Sequence, residues 1–377
     1  MKRPHRQILA SEHRENDRTS TLCSEIHGLG LWIGKGDGME TKGQKKRILL
    51  LGTGGTIASV QTKDGLTPAI KADQLLQYVP EIATKVDVDA KQILNLDSTN
   101  IETCHWLTMA KTIQQNYDAY DGFVLCHGTD TMAYSSAALS YLIQHSSKPI
   151  VLTGSQKPIN LDNTDARVNL RDAVRFAADP RAHDVNVVFE GKVICGTRVQ
   201  KVRTKSYNAF DSVNYPLLAA IQEERIAFYI DDKARQNEPV HFYSTLDPAV
   251  GLFKLTPSLD PAMLTVFGRS FHAVIIEAFG VGGLPTYRAG AYRDAVEKLL
   301  QAGKTIVMTT QVPYEGSDMS VYAVGRDVKE DLDLWEAYDM SLPTVVTKLM
   351  WVLGQTADPK EARKLFQTPI NRDTLWF

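Results

Sequence analysis

Two Gly-Thr-rich segments hold the chemistry-bearing residues of this chain, each directly after a short apolar run. Gly52-Thr53-Gly54-Gly55-Thr56 follows Arg47-Ile48-Leu49-Leu50-Leu51, and His127-Gly128-Thr129-Asp130-Thr131 follows Gly122-Phe123-Val124-Leu125-Cys126. Open α/β sheets hold ligands just past the carboxyl ends of their strands. Both segments therefore put hydroxyls where a ligand would sit, and the second adds a carboxylate. A hydroxyl, a base and bare backbone N–H groups facing a developing oxyanion are the parts of a nucleophile site. Thr56, last in the first segment, stands where the nucleophile is wanted.

Each segment also has an ordinary use. The first lacks the GxGxxG spacing of a dinucleotide fingerprint and the Gly-Lys-Ser/Thr of a P-loop, so taken alone it reads as a tight strand-to-helix turn. In the second, Asp130 would serve as the N-cap of the helix that follows. His127 reads as a core-packed or hydrogen-bonded histidine, because no second metal ligand is spaced from it. Lys201, in Val199-Gln200-Lys201-Val202-Arg203, is by itself one of many solvated lysines. Asp97-Ser98-Thr99-Asn100 is by itself a turn or a helix cap.

The elements that must position these residues are strands alternating with helices. Strand-like runs lie at 47–51, 122–126, 149–153, 185–189 and 192–196. Thr131–Ile143 reads as a helix, with Met132, Leu139, Leu142 and Ile143 recurring on one face. Strand, loop, helix, strand at this spacing is a βαβ unit and implies a parallel sheet with helices on both faces. The pattern breaks down between about 231 and 261, where charges and Pro239, Pro248, Pro257 and Pro261 interrupt it, and a linker is placed at 236–262. A second α/β pattern follows: strand Ala273–Glu277, helix Arg288–Ala302 closed by Gly303, strand Thr305–Thr309. The helix stripe is Tyr292, Ala295, Val296, Leu299 and Leu300. A helix at Leu342–Leu353 is expected to end at Gly354, and a last one to open with Asp358 as N-cap, Pro359 and a capping-box Glu361. The expectation is two α/β domains, 46–235 and 263–377. Residues 1–45 read as a disordered or loosely attached extension. Its only apolar patch, Leu29–Ile33, is too short and too far in for a signal peptide, and Met39 offers an alternative start.

Bulk properties exclude some function classes. The net charge is −2, from 42 basic and 44 acidic residues, which gives no electrostatic reason to expect nucleic acid or an anionic membrane as partner. No stretch is long and apolar enough to span a bilayer. Cys23, Cys104, Cys126 and Cys195 are far apart in sequence, so no CxxC redox or zinc motif exists. Cys126 and Cys195 read as buried thiols, and a reduced, cytoplasmic compartment follows.

Taken together, the motifs resemble the bacterial-type L-asparaginase family, and its cytoplasmic type I members in particular. Thr53-Gly54-Gly55-Thr56-Ile57-Ala58 and His127-Gly128-Thr129-Asp130-Thr131-Met132 look like its two signatures. Thr153-Gly154-Ser155-Gln156, Phe210-Asp211-Ser212-Val213-Asn214 and Gly280-Val281-Gly282-Gly283 follow in the right order. The similarity runs from about Arg47 to the C-terminus. It implies a larger N-terminal parallel-sheet domain and a smaller Rossmann-like C-terminal domain. It implies hydrolysis of L-asparagine to L-aspartate and ammonia through a threonine acyl-enzyme, with no metal and no organic cofactor. Thr56 resembles the nucleophile, and Thr129, Lys201 and Asp130 the triad beside it. Asp130, Thr129 and the Asp97-Ser98-Thr99 segment resemble the groups that hold the substrate's α-ammonium and α-carboxylate. A homodimer or homotetramer is implied, with a neighbour's C-terminal domain closing the site.

The sequence departs from that pattern in three places. Many relatives carry a tyrosine in the loop after the first motif; here Leu66, in Asp64-Gly65-Leu66-Thr67-Pro68, takes that place. Some cytoplasmic relatives bind asparagine at an allosteric site through an Asn and a Cys; here those positions are Gly283 and Val312. The N-terminal extension has no counterpart. Two other readings share the motifs. One is the asparaginase-like subunit of a tRNA-dependent amidotransferase, against which the short extension, without alternating strand pattern, argues. The other is a non-catalytic amino-acid- or nucleotide-binding module, which leaves Lys201 and Thr129 without a task.

Overall fold

The computed structural model describes residues 45–63, 65–230 and 238–375. The readings made for the extension, the Leu29–Ile33 patch, Met39 and Cys23 lie outside these residues. Four successive residues, Ile48, Leu49, Leu50 and Leu51, are all buried. Strand β1 (Arg47–Gly54) has a strand on each side and apolar layers on both faces. Ile48 and Leu50 enter a core with Val124, Val151, Leu170 and Phe176, while Leu49 and Leu51 enter one with Met109, Phe123, Leu125 and Leu139. The period-2 alternation of a strand explains the split, and burial on both faces explains the unbroken apolar run.

The main further elements of this domain are β2 (Asp87–Leu96), α1 (Thr103–Asn116), β3 (Gly122–Cys126), α2 (Met132–Leu142), β4 (Ile150–Thr153), α3 (Ala166–Ala177), β5 (Val185–Phe189) and β6 (Lys192–Cys195). A separate pair, β7 (Val199–Lys201) with β8 (Phe210–Ser212), precedes β9 (Ala219–Gln222) and β10 (Arg225–Phe228). The sheet order is β2-β1-β3-β4-β5-β6-β9-β10. Strands β2, β1, β3, β4 and β5 are parallel. Since β2 lies on one side of β1 and β3 on the other, the chain switches direction across the sheet between them. The crevice at such a switch point opens at the carboxyl ends of the two strands, and both Gly-Thr segments begin there.

The sheet is not parallel throughout. Strands β6, β9 and β10 are antiparallel to their neighbours. Between β5 and β6, Glu190 and Gly191 have φ of 48° and 69°, the pair of positive values that makes a two-residue hairpin turn and reverses the chain.

The smaller domain is a four-stranded sheet of β11 (Val250–Lys254), β12 (Ala273–Ala278), β13 (Thr305–Thr310) and β14 (Trp335–Glu336), parallel throughout. Strand β11 lies inside the 236–262 interval. Its helices include α4 (Pro261–Gly268), α5 (Tyr287–Gln301), α6 (Leu342–Gln355) and α7 (Pro359–Gln367), beside a further helix at Ala323–Asp331. Of the expected stripe of α5, Tyr292, Ala295, Val296 and Leu299 are buried and Leu300 is half-buried, while Arg288, Ala289 and Gly290, at the expected start of the helix, have positive φ and interrupt its first turn. Helix α6 runs through Gly354, where a Cβ would come within 2.9 Å of Leu246 Cα; that glycine permits a close backbone contact and does not end the helix. Asp358 caps α7 through the Lys360 N–H at 2.9 Å, but Glu361 accepts from the Thr356 hydroxyl instead of completing a capping box.

Helix α2 is buried on nearly every side. Leu139 and Leu142 face the large-domain core, while Ala137 and Tyr141 pack into the small-domain cluster with Val345, Leu349 and Trp351. Its Ser and Ala positions let α6 come close. Among the described residues no helix is long and apolar enough to cross a membrane. Cys126 and Cys195 are buried free thiols and Cys104 is exposed; burial pushes the Cys126 thiol up to about 12.

Candidate active site

Three segments interlock at the β1/β3 switch point. The Thr53 hydroxyl donates to the Cys126 carbonyl at 2.9 Å and the Gly55 N–H to the Leu96 carbonyl at 2.9 Å, so the first loop is tied to both neighbouring strands. Gly55 has φ of 77°, and a Cβ there would lie 2.4 Å from Gly128 Cα. A Cβ on Gly128 would lie 2.5 Å from the Ser98 hydroxyl. Glycine is required at Gly55 because backbone meets backbone there, and at Gly128 because the Ser98 side chain fills the space a Cβ would take. Thr56 opens a single turn of 3-10 helix, Thr56–Ala58. It is half-buried, and its hydroxyl has no hydrogen-bond partner among the described residues.

The second loop presents its side chains differently from an ordinary helix entry. Thr131, not Asp130, precedes α2, and no side chain caps that helix. The Asp130 carboxylate instead receives Lys201 Nζ at 2.6 Å, while the same ammonium donates to the Thr129 hydroxyl at 2.8 Å. The Thr129 hydroxyl in turn donates to Gln156 Oε1 at 3.4 Å, and Gln156 Nε2 donates to the Ser206 carbonyl at 3.1 Å. Thr129 is buried, Lys201 is half-buried on β7, and Asp130 is exposed. An ion pair this open to water adds little to stability. The fold has therefore gathered Thr129, Asp130 and Lys201 into one hydrogen-bonded group.

Ser98 is buried and faces the same loop. Its hydroxyl accepts from the Asp130 N–H at 3.2 Å, and its carbonyl accepts from the Thr131 hydroxyl at 2.8 Å. Asp97 and Thr99 are exposed. The Asp97 carboxylate accepts from both the N–H and the hydroxyl of Thr99 at 2.9 Å, so it caps the short turn Ser98–Asn100. His127 is a core group, as its position suggested. Its Nδ1–H donates to the Gly128 carbonyl at 2.7 Å and its Nε2 accepts from Ser135, which accepts from Trp106 Nε1 at 2.8 Å. Burial pushes this histidine down to about 4, against the hydrogen bond to Gly128.

Family models for the asparaginase N-terminal domain and the glutaminase/asparaginase C-terminal domain match residues 47–234 and 249–366. The chain belongs to the asparaginase family. An L-asparaginase of Thermococcus kodakarensis is 40% identical over 327 residues, covering 86% of this chain and 98% of that protein. A glutamyl-tRNA(Gln) amidotransferase subunit of Pyrococcus furiosus is 33% identical over 343 residues, 88% of this chain and 77% of that protein. Among solved structures, the thermostable L-asparaginase from Thermococcus kodakarensis superimposes with a TM-score of 0.81 at 38% identity, covering 87% of this chain and 98% of that one. L-asparaginase I from Vibrio cholerae O1 biovar eltor gives 0.79 at 25% identity, covering 88% and 100%.

Within this asparaginase-family fold two site residues stand beyond those expected. Gln156 lay in a recognised motif without a role, and the structure makes it the partner of Thr129. Asp165 had no sequence signal. Its carboxylate accepts the Gln156 N–H at 2.9 Å, the Lys157 N–H at 3.1 Å and Asn169 Nδ2 at 3.2 Å. Burial raises the Asp165 carboxyl, opposed by those same donors. A buried acid that turns the 155–157 corner is what aims Gln156. Leu66 sits in the hairpin Ser59–Thr62 with Gly65–Pro68, opposite Gln61, and is 47% exposed. Val312 is exposed and Gly283 half-buried, in the loops beyond β13 and β12.

Proposed function

We propose that this protein hydrolyses the side-chain amide of L-asparagine to L-aspartate and ammonia, with Thr56 as nucleophile. The observation that carries the reading is the Lys201–Thr129–Asp130 group, placed beside the Thr56 loop by the Gly55–Gly128 contact. A threonine hydroxyl is a poor nucleophile unless a base takes its proton. Thr129 and Lys201, hydrogen-bonded at 2.8 Å, form the relay for that proton.

In the proposed sequence Thr56 Oγ attacks the amide carbon. The carbonyl oxygen becomes an oxyanion facing backbone N–H groups of the glycine loop, each such donor being worth about 3–4 kcal/mol. Collapse transfers a proton to nitrogen, expels ammonia and leaves an aspartyl ester on Thr56. Water, deprotonated by the same relay, then releases aspartate. Asp130 receives the α-ammonium, and the Asp97-Ser98-Thr99 segment holds the α-amino and α-carboxylate ends, with a hydroxyl such as that of Ser98 suited to the carboxylate. Likeness to L-asparaginase I supports a type I-like enzyme. The free buried thiols support a reduced, cytoplasmic setting. A homodimer or homotetramer, in which a neighbour's C-terminal domain closes the site, is part of the same proposal.

The test is ammonia release from L-asparagine and from L-glutamine, with Lys201→Met alongside. Turnover of free asparagine that is lost in Lys201→Met supports the reading; asparagine binding without turnover overturns it. Likeness to the amidotransferase protein favours a second reading, in which ammonia is delivered to a partner acting on tRNA. Full turnover by the isolated protein, with neither a second subunit nor tRNA, decides against it.

A further inference from the structure

The segment that carries Lys201 is held from outside its own domain. Arg198, three residues earlier, is fully buried. Its guanidinium donates to the Arg372 carbonyl at 2.5 Å, the Asp339 carbonyl at 2.8 Å and the Asp339 carboxylate at 3.0 Å. The Thr197 carbonyl accepts from Ser341 at 3.2 Å and from Thr344, and the Thr197 hydroxyl donates to the Asn371 carbonyl at 2.7 Å. Past β8, Asn214 Nδ2 donates to the Asp339 carbonyl at 2.9 Å. The Asp339 carboxylate accepts from the Thr374 hydroxyl at 2.7 Å and the Leu375 N–H at 3.0 Å. Every one of these outside partners belongs to the small domain or to the segment after α7.

We infer that Arg198 and Asp339, locked by residues 371–375, are positioning residues that set where Lys201 Nζ stands relative to Thr129 and Asp130. This rests on the catalytic role proposed for Lys201. Strands β7 and β8 are three residues each and, among the described residues, pair only with one another, and a lone two-stranded ribbon is marginal by itself. A lysine stem is flexible, so its ammonium is placed by the backbone beneath it. Arg198 supplies what the ribbon lacks. Its N–H donates to the Cys195 carbonyl and its carbonyl accepts from Val213, both at 2.8 Å, so its backbone joins both sides of the ribbon's base. Its planar fork then fixes that base against Asp339 in orientation as well as distance. A buried ion pair is a weak source of net stability and a good source of register, and register is what a lysine shared between Thr129 and Asp130 needs. The large domain's catalytic group is then complete only when the small domain and the chain end have docked.

The test uses the full-length protein and reads kcat and KM for asparagine per folded molecule. Arg198→Lys keeps the charge and loses the fork; Thr374→Val loosens Asp339 from the far side. Leu299→Ala, in the small-domain core away from these contacts, serves as a destabilised control, and Lys201→Met tests the reading itself. In Arg198→Lys and Thr374→Val, kcat is expected to fall about tenfold or more with KM within about twofold, since small misplacements of a reacting group are costly. The control keeps full kcat at a lower melting temperature. A folded Arg198→Lys protein with normal kcat, beside an inactive Lys201→Met, overturns the inference while leaving the catalytic reading in place. Normal kcat in Lys201→Met removes both.

Discussion

Gly55 and Gly128 meet backbone to backbone, and each immediately precedes a threonine of the candidate site. The contact brings two loops from two strands to one place and leaves no room for a side chain on Gly55, while the Ser98 side chain blocks one on Gly128. Gly55→Ala should cost about 2–5 kcal/mol, from the left-handed backbone and from overpacking, and should lower kcat more than tenfold. Gly65→Ala is the comparison. It also has positive φ, at 116°, but nothing lies within 4 Å of its Cβ position. Denaturant unfolding of the two variants separates strain from contact, and equal losses would refute the contact argument.

Thr56→Ala should leave the fold intact and abolish turnover. Its hydroxyl makes no hydrogen bond to a described residue, so the change in unfolding free energy should stay within about 0.5 kcal/mol. Losing a nucleophile should cost roughly 10³-fold or more in kcat. Ammonia assays and thermal melts on the same sample check both halves. A folded Thr56→Ala protein with normal turnover would show that Thr56 is not the nucleophile.

Asp165 acts on the site through Gln156. Asp165→Asn replaces an acceptor of three N–H donors with a group that must present its own N–H to at least one of them. About 1–3 kcal/mol of stability should be lost. Activity should fall with it, because Gln156 is no longer aimed at Thr129. Unchanged kinetics in a folded Asp165→Asn protein would reduce Asp165 to a loop anchor.

Asparagine saturation should be hyperbolic. The resemblance places Gly283 and Val312 where some relatives are expected to carry an allosteric Asn and Cys, and neither offers a side-chain amide or thiol. Initial rates over a wide asparagine range test this, and a sigmoidal curve would require a site built from other groups.

Strands β1, β3 and β4 could be read from sequence because burial on both faces writes an unbroken apolar run. Strand β2 could not. It is an edge strand with Asp87, Asp89 and Lys91 alternating outward, and charge on an edge hides the pattern that guards it. The turn at Glu190-Gly191 was visible as letters, but its positive φ values, which make β6 antiparallel, belong to the folded chain. In the site, the two Gly-Thr loops announced themselves locally. Lys201 did not. It is 72 residues from Thr129, and only the resemblance pointed to it before the fold brought them together. Asp165 and Arg198 act through corners and interfaces, which leave no local periodicity to read.

His127 makes stability depend on pH in a predictable direction. In the folded protein it is buried and neutral, held to about 4 against an ordinary value of 6.5. The unfolded chain therefore binds the proton first as pH falls. The histidine's full contribution is present above pH 6.5, declines as pH drops below that value, and is gone by about pH 4. The loss is 1.36 kcal/mol per pH unit over this window, or about 3 kcal/mol in all. Urea unfolding at pH 7 and pH 5 should show about 2 kcal/mol of it. His127→Gln should be less stable at pH 7, because the bonds to Gly128 and Ser135 are disturbed, but should lack this slope. A wild-type minus variant difference that stays constant from pH 7 to pH 5 would mean that His127 takes up its proton without unfolding.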